Sequence, residues 1–391
     1  MARVCLVSHL DVNLTGFRRP LIEALVSGGH DVFALCPTGE KSTIFATLGA
    51  THVPYTINRR SINPLGGLFL IFKLYLKILK IKPDIVHTYT AKPNILGTIA
   101  AKMAGVKIIV NSVTGLGSVF IDQDRGKLKA RILAAAVGLA YRLAFTLSNT
   151  VIFQNPDDMQ EFLAKKLVHT KKALLIKGSG VDTVRFHPAS AAEKNAAREH
   201  LGIPDDKIVV TMVARIIRDK GIFEYLAAGK TLRKKYGDKV LFMLIGDSDK
   251  GNPTSIDMST VEHVGSKESG IWYLGARDDI ARLLHASDIY CLPSYREGLP
   301  VSVLEAMASG LPIVTTDAPG CRETVSRPVN GFLVPVGDAE KTAEALNSLI
   351  ADQDLRKNLG RESRKTSERE FSKEKVVREN IRLYDSLVEM F

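Results

Sequence analysis

Short apolar runs rich in β-branched residues alternate with longer amphipathic stretches along most of the 391 residues, and this alternation restricts the fold more than any single motif does. The strand-like runs cover residues 3–8, 31–36, 51–55, 85–88, 106–111, 150–154 and 173–176, then 207–213, 240–245, 271–274, 288–292, 312–315 and 331–334. Helical patterns, such as 17–27, 93–104 and 156–163, lie between them. Such alternation implies parallel sheets covered by helices on both faces. A turn-rich joint, Gly178-Ser-Gly-Val-Asp182 and then Phe186-His-Pro188, separates the two series. The expectation is an α/β protein of two Rossmann-like doubly wound domains facing a central cleft. Residues 1–185 form the first domain and 186–370 the second, while a C-terminal helix, 371–391, packs back on the first.

The charge is uneven. Lys and Arg number 53 against 42 Asp and Glu, a net of +11. Residues 1–185 hold 24 of the cations and 11 of the acids, so +13, which leaves 29 and 31, or −2, for the remainder. A basic excess confined to one half points to an anionic partner there: nucleic acid, a membrane surface or a phosphorylated substrate. The four cysteines form no C-x-x-C pair, and Cys5, Cys36 and Cys291 sit in or beside strand-like runs, where a thiol serves as a small hydrophobe. Disulfides are not expected and a reducing compartment is. The N-terminal apolar run is too short for a signal peptide, and no stretch reaches the length of a membrane-spanning helix.

The strongest local signal is Glu297-Gly-Leu-Pro-Val-Ser-Val-Leu-Glu305. It follows a strand, and Pro300 suits the first position of a helix. The N–H groups of Leu299, Val301 and Ser302 then face an anion. Glu297 and Glu305 are placed to hold two different hydroxyl-bearing parts of one ligand. A capped helix with two solvated acids is the bland alternative; the position at the carboxyl end of a parallel strand counts against it. The second signal, Arg215-Ile-Ile-Arg-Asp-Lys-Gly221, sets Arg215 and Lys220 where a diphosphate clamp needs cations. Gly16, opening a helix after the first strand, permits a phosphate to approach the backbone, but there is no G-x-G-x-x-G. His87 in His87-Thr-Tyr-Thr-Ala-Lys-Pro-Asn94 is either catalytic or a buried structural histidine, and Thr114-Gly-Leu-Gly117 closes the next strand. Asp122-Gln-Asp124 and Asp247-Ser-Asp249 match the D-x-D of metal-dependent sugar transferases, a pattern short enough to arise from turn chemistry.

Two basic apolar helices are expected at 65–82 and 127–147. Lys73, Lys77 and Lys80 share one face of the first by 3.6-residue spacing. Both helices can be ordinary sheet cover; their composition also suits an anionic membrane surface.

Together, Arg215-x4-Lys220-Gly221, Tyr273-Leu-Gly-Ala-Arg-Asp-Asp279, the run from Asp288 to Glu297, Glu297-x7-Glu305 and Asn330-Gly331 resemble the family 4 retaining glycosyltransferases, which have the GT-B fold. The resemblance runs nearly end to end. His87–Asn94, Thr114–Gln123 and Gly178–Asp182 resemble a branch acting on polyprenyl-diphosphate-linked sugars. It implies transfer of a sugar, GalNAc as the expected one, from a UDP-sugar to an undecaprenyl-diphosphate-linked saccharide in bacterial glycan assembly: N-linked protein glycosylation, O-antigen or capsule. It implies that Arg215 and Lys220 bind the donor diphosphate, that Glu305 accepts from the ribose hydroxyls, and that Glu297 with the backbone after Gly298 holds the donor sugar. Leu299, Pro300 and Leu304 belong to the same donor site, Ala276 and Arg277 read uracil, and Gly16 borders the phosphates. His87, Lys92, Asn94 and Thr114 fall on the acceptor side. Many family members carry a histidine where this chain has Thr114, so that role has no matching residue here. No cofactor and no metal are implied, and nucleic acid is not a partner. The expected place is the cytoplasmic face of the bacterial inner membrane, peripherally bound. A UDP-sugar 2-epimerase of similar fold, an NAD-dependent dehydrogenase and a non-catalytic membrane-surface binding protein are the competing classes.

Overall fold

The computed structural model describes residues 1–58, 63–115, 128–249, 251–264 and 269–390. Asp122, Asp124 and Lys127 lie outside the described residues. The chain divides into two units: Met1–Gly180 with Lys373–Phe391, and Val181–Ser372.

The first unit holds seven strands: β1 (Arg3–Val7), β2 (Asp31–Cys36), β3 (Thr51–Pro54), β4 (Ile85–Tyr89), β5 (Ile108–Val113), β6 (Thr150–Phe153) and β7 (Ala173–Leu175). They pair in parallel in the order β3-β2-β1-β4-β5-β6-β7. The second unit holds β8 (Ile208–Val213), β9 (Val240–Ile245), β10 (Ile271–Tyr273), β11 (Ile289–Leu292), β12 (Ile313–Thr316) and β13 (Gly331–Val334). These are also parallel, in the order β10-β9-β8-β11-β12-β13. Each sheet therefore reverses its winding once, between β1 and β4 and between β8 and β11. Ligands of open α/β sheets bind outside the strand ends at such a reversal.

Every strand-like run forms a strand, but β5 is displaced. The apolar pattern predicts it from residue 106; the strand starts at Ile108. The preceding helix, Thr98–Met103, ends with Gly105 at φ +77°, and the Val106 N–H donates to Ala101 O at 3.1 Å. Val106 is consumed by the helix stop. The strand then extends to Val113, directly before Thr114.

All four cysteines are buried and free. The helix Lys373–Val388 sends Val376, Tyr384 and Leu387 into the same core as Leu6, Leu25 and Ile85. The helix Pro64–Ile81 starts with Asn63 accepting from Leu65 N at 3.0 Å. It buries Leu70, Leu74, Ile78 and Ile81 against the sheet, an i, i+4, i+8, i+11 row. Its other side is apolar too: Leu65 (74% exposed), Leu68, Phe69, Phe72, Leu76 and Leu79 all face out. The helix Leu128–Leu147 likewise exposes Ile132, Leu139 and Leu143. Among the described residues, no helix is long and apolar enough to cross a membrane.

Candidate functional site

In the second unit the loops after β8, β11 and β12 interlock. Gly221 has φ +74° and opens the helix Ile222–Tyr236; a Cβ there would lie 2.0 Å from Pro293 O. Glycine is dictated by the close approach of the two loops. Tyr295 N donates to Asp219 O at 2.8 Å, and Ser294 Oγ lies 3.0 Å from the same oxygen. Glu297 N donates to Pro319 O at 3.0 Å, and Gly320, at φ +77°, leaves room for Glu297 O, 2.3 Å from where its Cβ would stand. The carboxyl ends of three adjacent strands are thereby tied into one surface.

The charged groups on that surface are already matched. Lys220 Nζ pairs with the Glu297 carboxylate, both side chains being largely shielded from water, and Ser294 Oγ donates to Glu297 Oε1 at 2.9 Å. Arg215 Nη1 lies 2.6 Å from Asp249 Oδ2, with 59% of the arginine side chain exposed. Glu305 is different. It sits in the helix Val301–Ala308, half-buried, and no described group donates a hydrogen bond to its carboxylate. Burial pushes its pKa up to about 7, against the pull of Arg185. Pro300 stands one place earlier than its sequence suggests: its ψ of 104° is extended, so it caps the helix and does not begin it. No side chain caps that N-terminus. Leu299 is buried and Leu304 fully so, so Leu304 offers a ligand no side-chain surface.

Ala276 and Arg277 follow β10, two strands from β8. Arg277 is held by Asp279 through two hydrogen bonds of 2.8 and 2.7 Å, which raises its pKa. Arg215, Lys220, Glu297, Gly298 and Pro300 cluster around the β8/β11 reversal; Ala276 and Arg277 lie toward the sheet edge.

In the first unit, Gly16 lies in a single π-turn, Asn13–Phe17, before the helix Arg19–Ser27. A Cβ on Gly16 would meet nothing within 4 Å. The fold of this unit has no steric need for glycine there. His87 is fully buried: Nδ1 is hydrogen-bonded to the hydroxyls of Tyr384 (2.5 Å) and Tyr89 (3.0 Å), and Nε2 to Ser112 Oγ (2.8 Å). Burial, and secondarily the Arg18 charge, hold its pKa well below the usual histidine value. Asn94 is equally buried; it accepts from Thr88 Oγ1 at 2.7 Å and donates to Ser112 O at 2.9 Å. Both residues are internal braces of the sheet. Lys92 Nζ donates to Asn58 O at 2.5 Å, and Thr114 is partly exposed after β5. Three electrostatic partners had no local signal in the sequence: Arg185, whose charge acts on Glu305, Asp249 on Arg215, and Arg18, nine-tenths buried with its guanidinium 4.7 Å over the Tyr89 ring.

Residues 193–366 match the family described as Glycosyl transferases group 1, and residues 3–155 match Glycosyl transferase 4-like. The N,N'-diacetylbacillosaminyl-diphospho-undecaprenol α-1,3-N-acetylgalactosaminyltransferase of Campylobacter jejuni is 32% identical over 388 residues, 99% of each chain. The UDP-Gal:α-D-GlcNAc-diphosphoundecaprenol α-1,3-galactosyltransferase of Escherichia coli is 29% identical over 298 residues, 76% of this chain and 74% of its own. The fold matches Anabaena HepE, crystallised with UDP and glucose, at a TM-score of 0.78 and 20% identity, covering 99% of this chain and 100% of that one. With two parallel α/β units and a full-length relative above 30% identity, the chain belongs to the GT-B glycosyltransferases of the group 1 and 4-like families.

Proposed function

We propose that this glycosyltransferase moves a sugar, N-acetylgalactosamine, from its UDP derivative to a saccharide on undecaprenyl diphosphate, with retention of configuration. One observation carries the reading: the end-to-end similarity to the Campylobacter enzyme. The Escherichia coli relative, by its name, also acts on a diphosphoundecaprenol-linked sugar and makes an α-1,3 bond, but with galactose. The acceptor class thus rests on two relatives and the donor sugar on one.

Glu305 is the ribose ligand: a half-buried carboxylate with no donor of its own is satisfied by two sugar hydroxyls. Arg215 and Lys220 take the diphosphate, with the uncapped N–H groups of the helix Val301–Ala308 as further donors. Glu297, freed from Lys220, holds the donor sugar. Ala276 and Arg277 face the base. In the transfer, the bond from the anomeric carbon to the UDP oxygen breaks and the acceptor hydroxyl adds on the same face. Its proton passes to the departing phosphate oxygen. The cations and N–H groups stabilise the charge that develops on UDP, so the proposed route uses no metal. No protein nucleophile is assigned.

The enzyme works on a membrane surface. Six large apolar side chains exposed on one helix exceed what an isolated soluble unit normally presents. Lys73, Lys77 and Lys80 flank them, with Lys73 Nζ 4.4 Å over the Phe69 ring. Such a helix lies in the interface of an anionic bilayer, apolar side down. The cytoplasmic face is where a UDP-sugar meets that surface.

The test is purified enzyme with synthetic undecaprenyl-diphosphate saccharides and a panel of UDP-sugars. A lipid-linked product from UDP-GalNAc supports the reading. A free epimerised sugar nucleotide, or no turnover with any donor, rejects it.

A further inference from the structure

The Asp247-Ser-Asp249 pair has an assignable task. Asp249 Oδ2 receives Arg215 Nη1 at 2.6 Å and Asn252 Nδ2 at 3.1 Å. Its segment is fastened to the loop that carries Arg215. Ile216 N donates to Asp247 O at 2.9 Å, Arg218 N to Thr254 O at 2.8 Å, Ile256 N to Ile216 O at 3.2 Å, and Ile217 forms an antiparallel bridge with Ser255. The loop after β9 thus delivers a carboxylate to the cation that the donor diphosphate needs. Asp247 turns its own carboxylate to Ser248 N at 2.7 Å.

We infer that Asp249 is an internal counter-anion of Arg215, which the donor diphosphate displaces, and that it thereby sets how tightly the diphosphate is held. The geometry suits exchange. One arginine nitrogen meets one oxygen, whereas a diphosphate can engage the guanidinium fork at two points. More than half of the arginine side chain is in water, so the pair is screened and yields readily. Release of UDP after transfer is eased in the same way, because Asp249 stands ready to take the cation back.

The inference rests on the donor-site reading above, and the experiment separates the two. UDP and uridine are titrated calorimetrically into the full chain carrying Asp249→Asn, Arg215→Ala, or both. Asparagine keeps the shape and can still accept from Asn252, and an unchanged melting temperature checks the fold. Asp249→Asn is expected to tighten UDP by roughly two- to fivefold, the scale of an exposed ion pair. The gain should shrink in about 0.5 M salt, be absent for uridine, and vanish in the Arg215→Ala background. UDP affinity unchanged or weakened by Asp249→Asn, or an equal gain for uridine, overturns the inference. Parental UDP affinity in Arg215→Ala overturns the donor-site reading instead.

Discussion

Glu305→Gln separates what the site needs from what the fold prefers. In the folded chain the carboxyl ionises at about 7; in the unfolded chain it does so near 4.5. Between those values the folded state holds a proton that the unfolded state has lost, so stability falls as pH rises through that window. Above it the cost of the buried charge is fully present, about 3 kcal/mol; below about pH 4.5 it is absent. Glutamine carries no such cost. The variant should match the parent near pH 5 and exceed it by up to about 3 kcal/mol near pH 8, scored on the unfolding transition that UDP shifts. Its UDP affinity should move the opposite way. Losing a charged acceptor for the ribose hydroxyls costs about 1.5–3 kcal/mol, roughly a ten- to hundredfold weaker Kd. The parent's advantage in affinity should also fade toward acid pH, since its carboxylate becomes protonated there. Urea titrations at the two pH values and calorimetry with UDP decide the matter. A pH-independent stability difference, or UDP binding undiminished in the variant, would show that Glu305 is neither a buried charge nor a ribose ligand.

Lys220→Ala should depress turnover far more than stability, because the charge on the leaving diphosphate grows toward the transition state; full activity sinks the clamp. Gly16→Ala should leave the melting temperature unchanged or slightly raised, since no atom crowds the position; a clearly lowered melting temperature would show that the fold needs glycine there. Changing Lys73, Lys77 and Lys80 to Glu should release the protein from anionic liposomes in flotation, with each lysine worth about 1 kcal/mol, and spare UDP binding by the other unit. Changing Leu68, Phe69, Phe72 and Leu76 to Ser should release it even when the lysines are intact; flotation equal to the parent in both variants makes the helix sheet cover only.

The strands were legible because each is short, apolar and bounded by turn residues. β5 slipped because Val106 reads as a strand residue while its N–H closes a helix. Likewise, the loops bearing Arg215, Lys220 and Glu297 could be read from local spacing, and Gly221 shows why: the motif's glycine answers a backbone contact with Pro293. What could not be read was set by distant chain. His87 became an internal brace through Tyr384, 297 residues later. Asp249 reaches Arg215 across 34 residues, and nothing near Glu305 in sequence announces Arg185. Pattern reports which strand end a side chain occupies; its partner, and hence its availability to a ligand, depends on tertiary packing.

Retaining transfer onto a lipid-linked diphosphate sugar fixes the stereochemistry of the product. The most direct measurement is nuclear magnetic resonance of the product made by purified enzyme from UDP-GalNAc and an undecaprenyl-diphosphate saccharide, with EDTA present throughout. An α-linked GalNAc on the lipid-borne sugar is expected, formed at the same rate as without the chelator. A β-linkage, or a reaction abolished by EDTA and restored by Mg²⁺ or Mn²⁺, would contradict it.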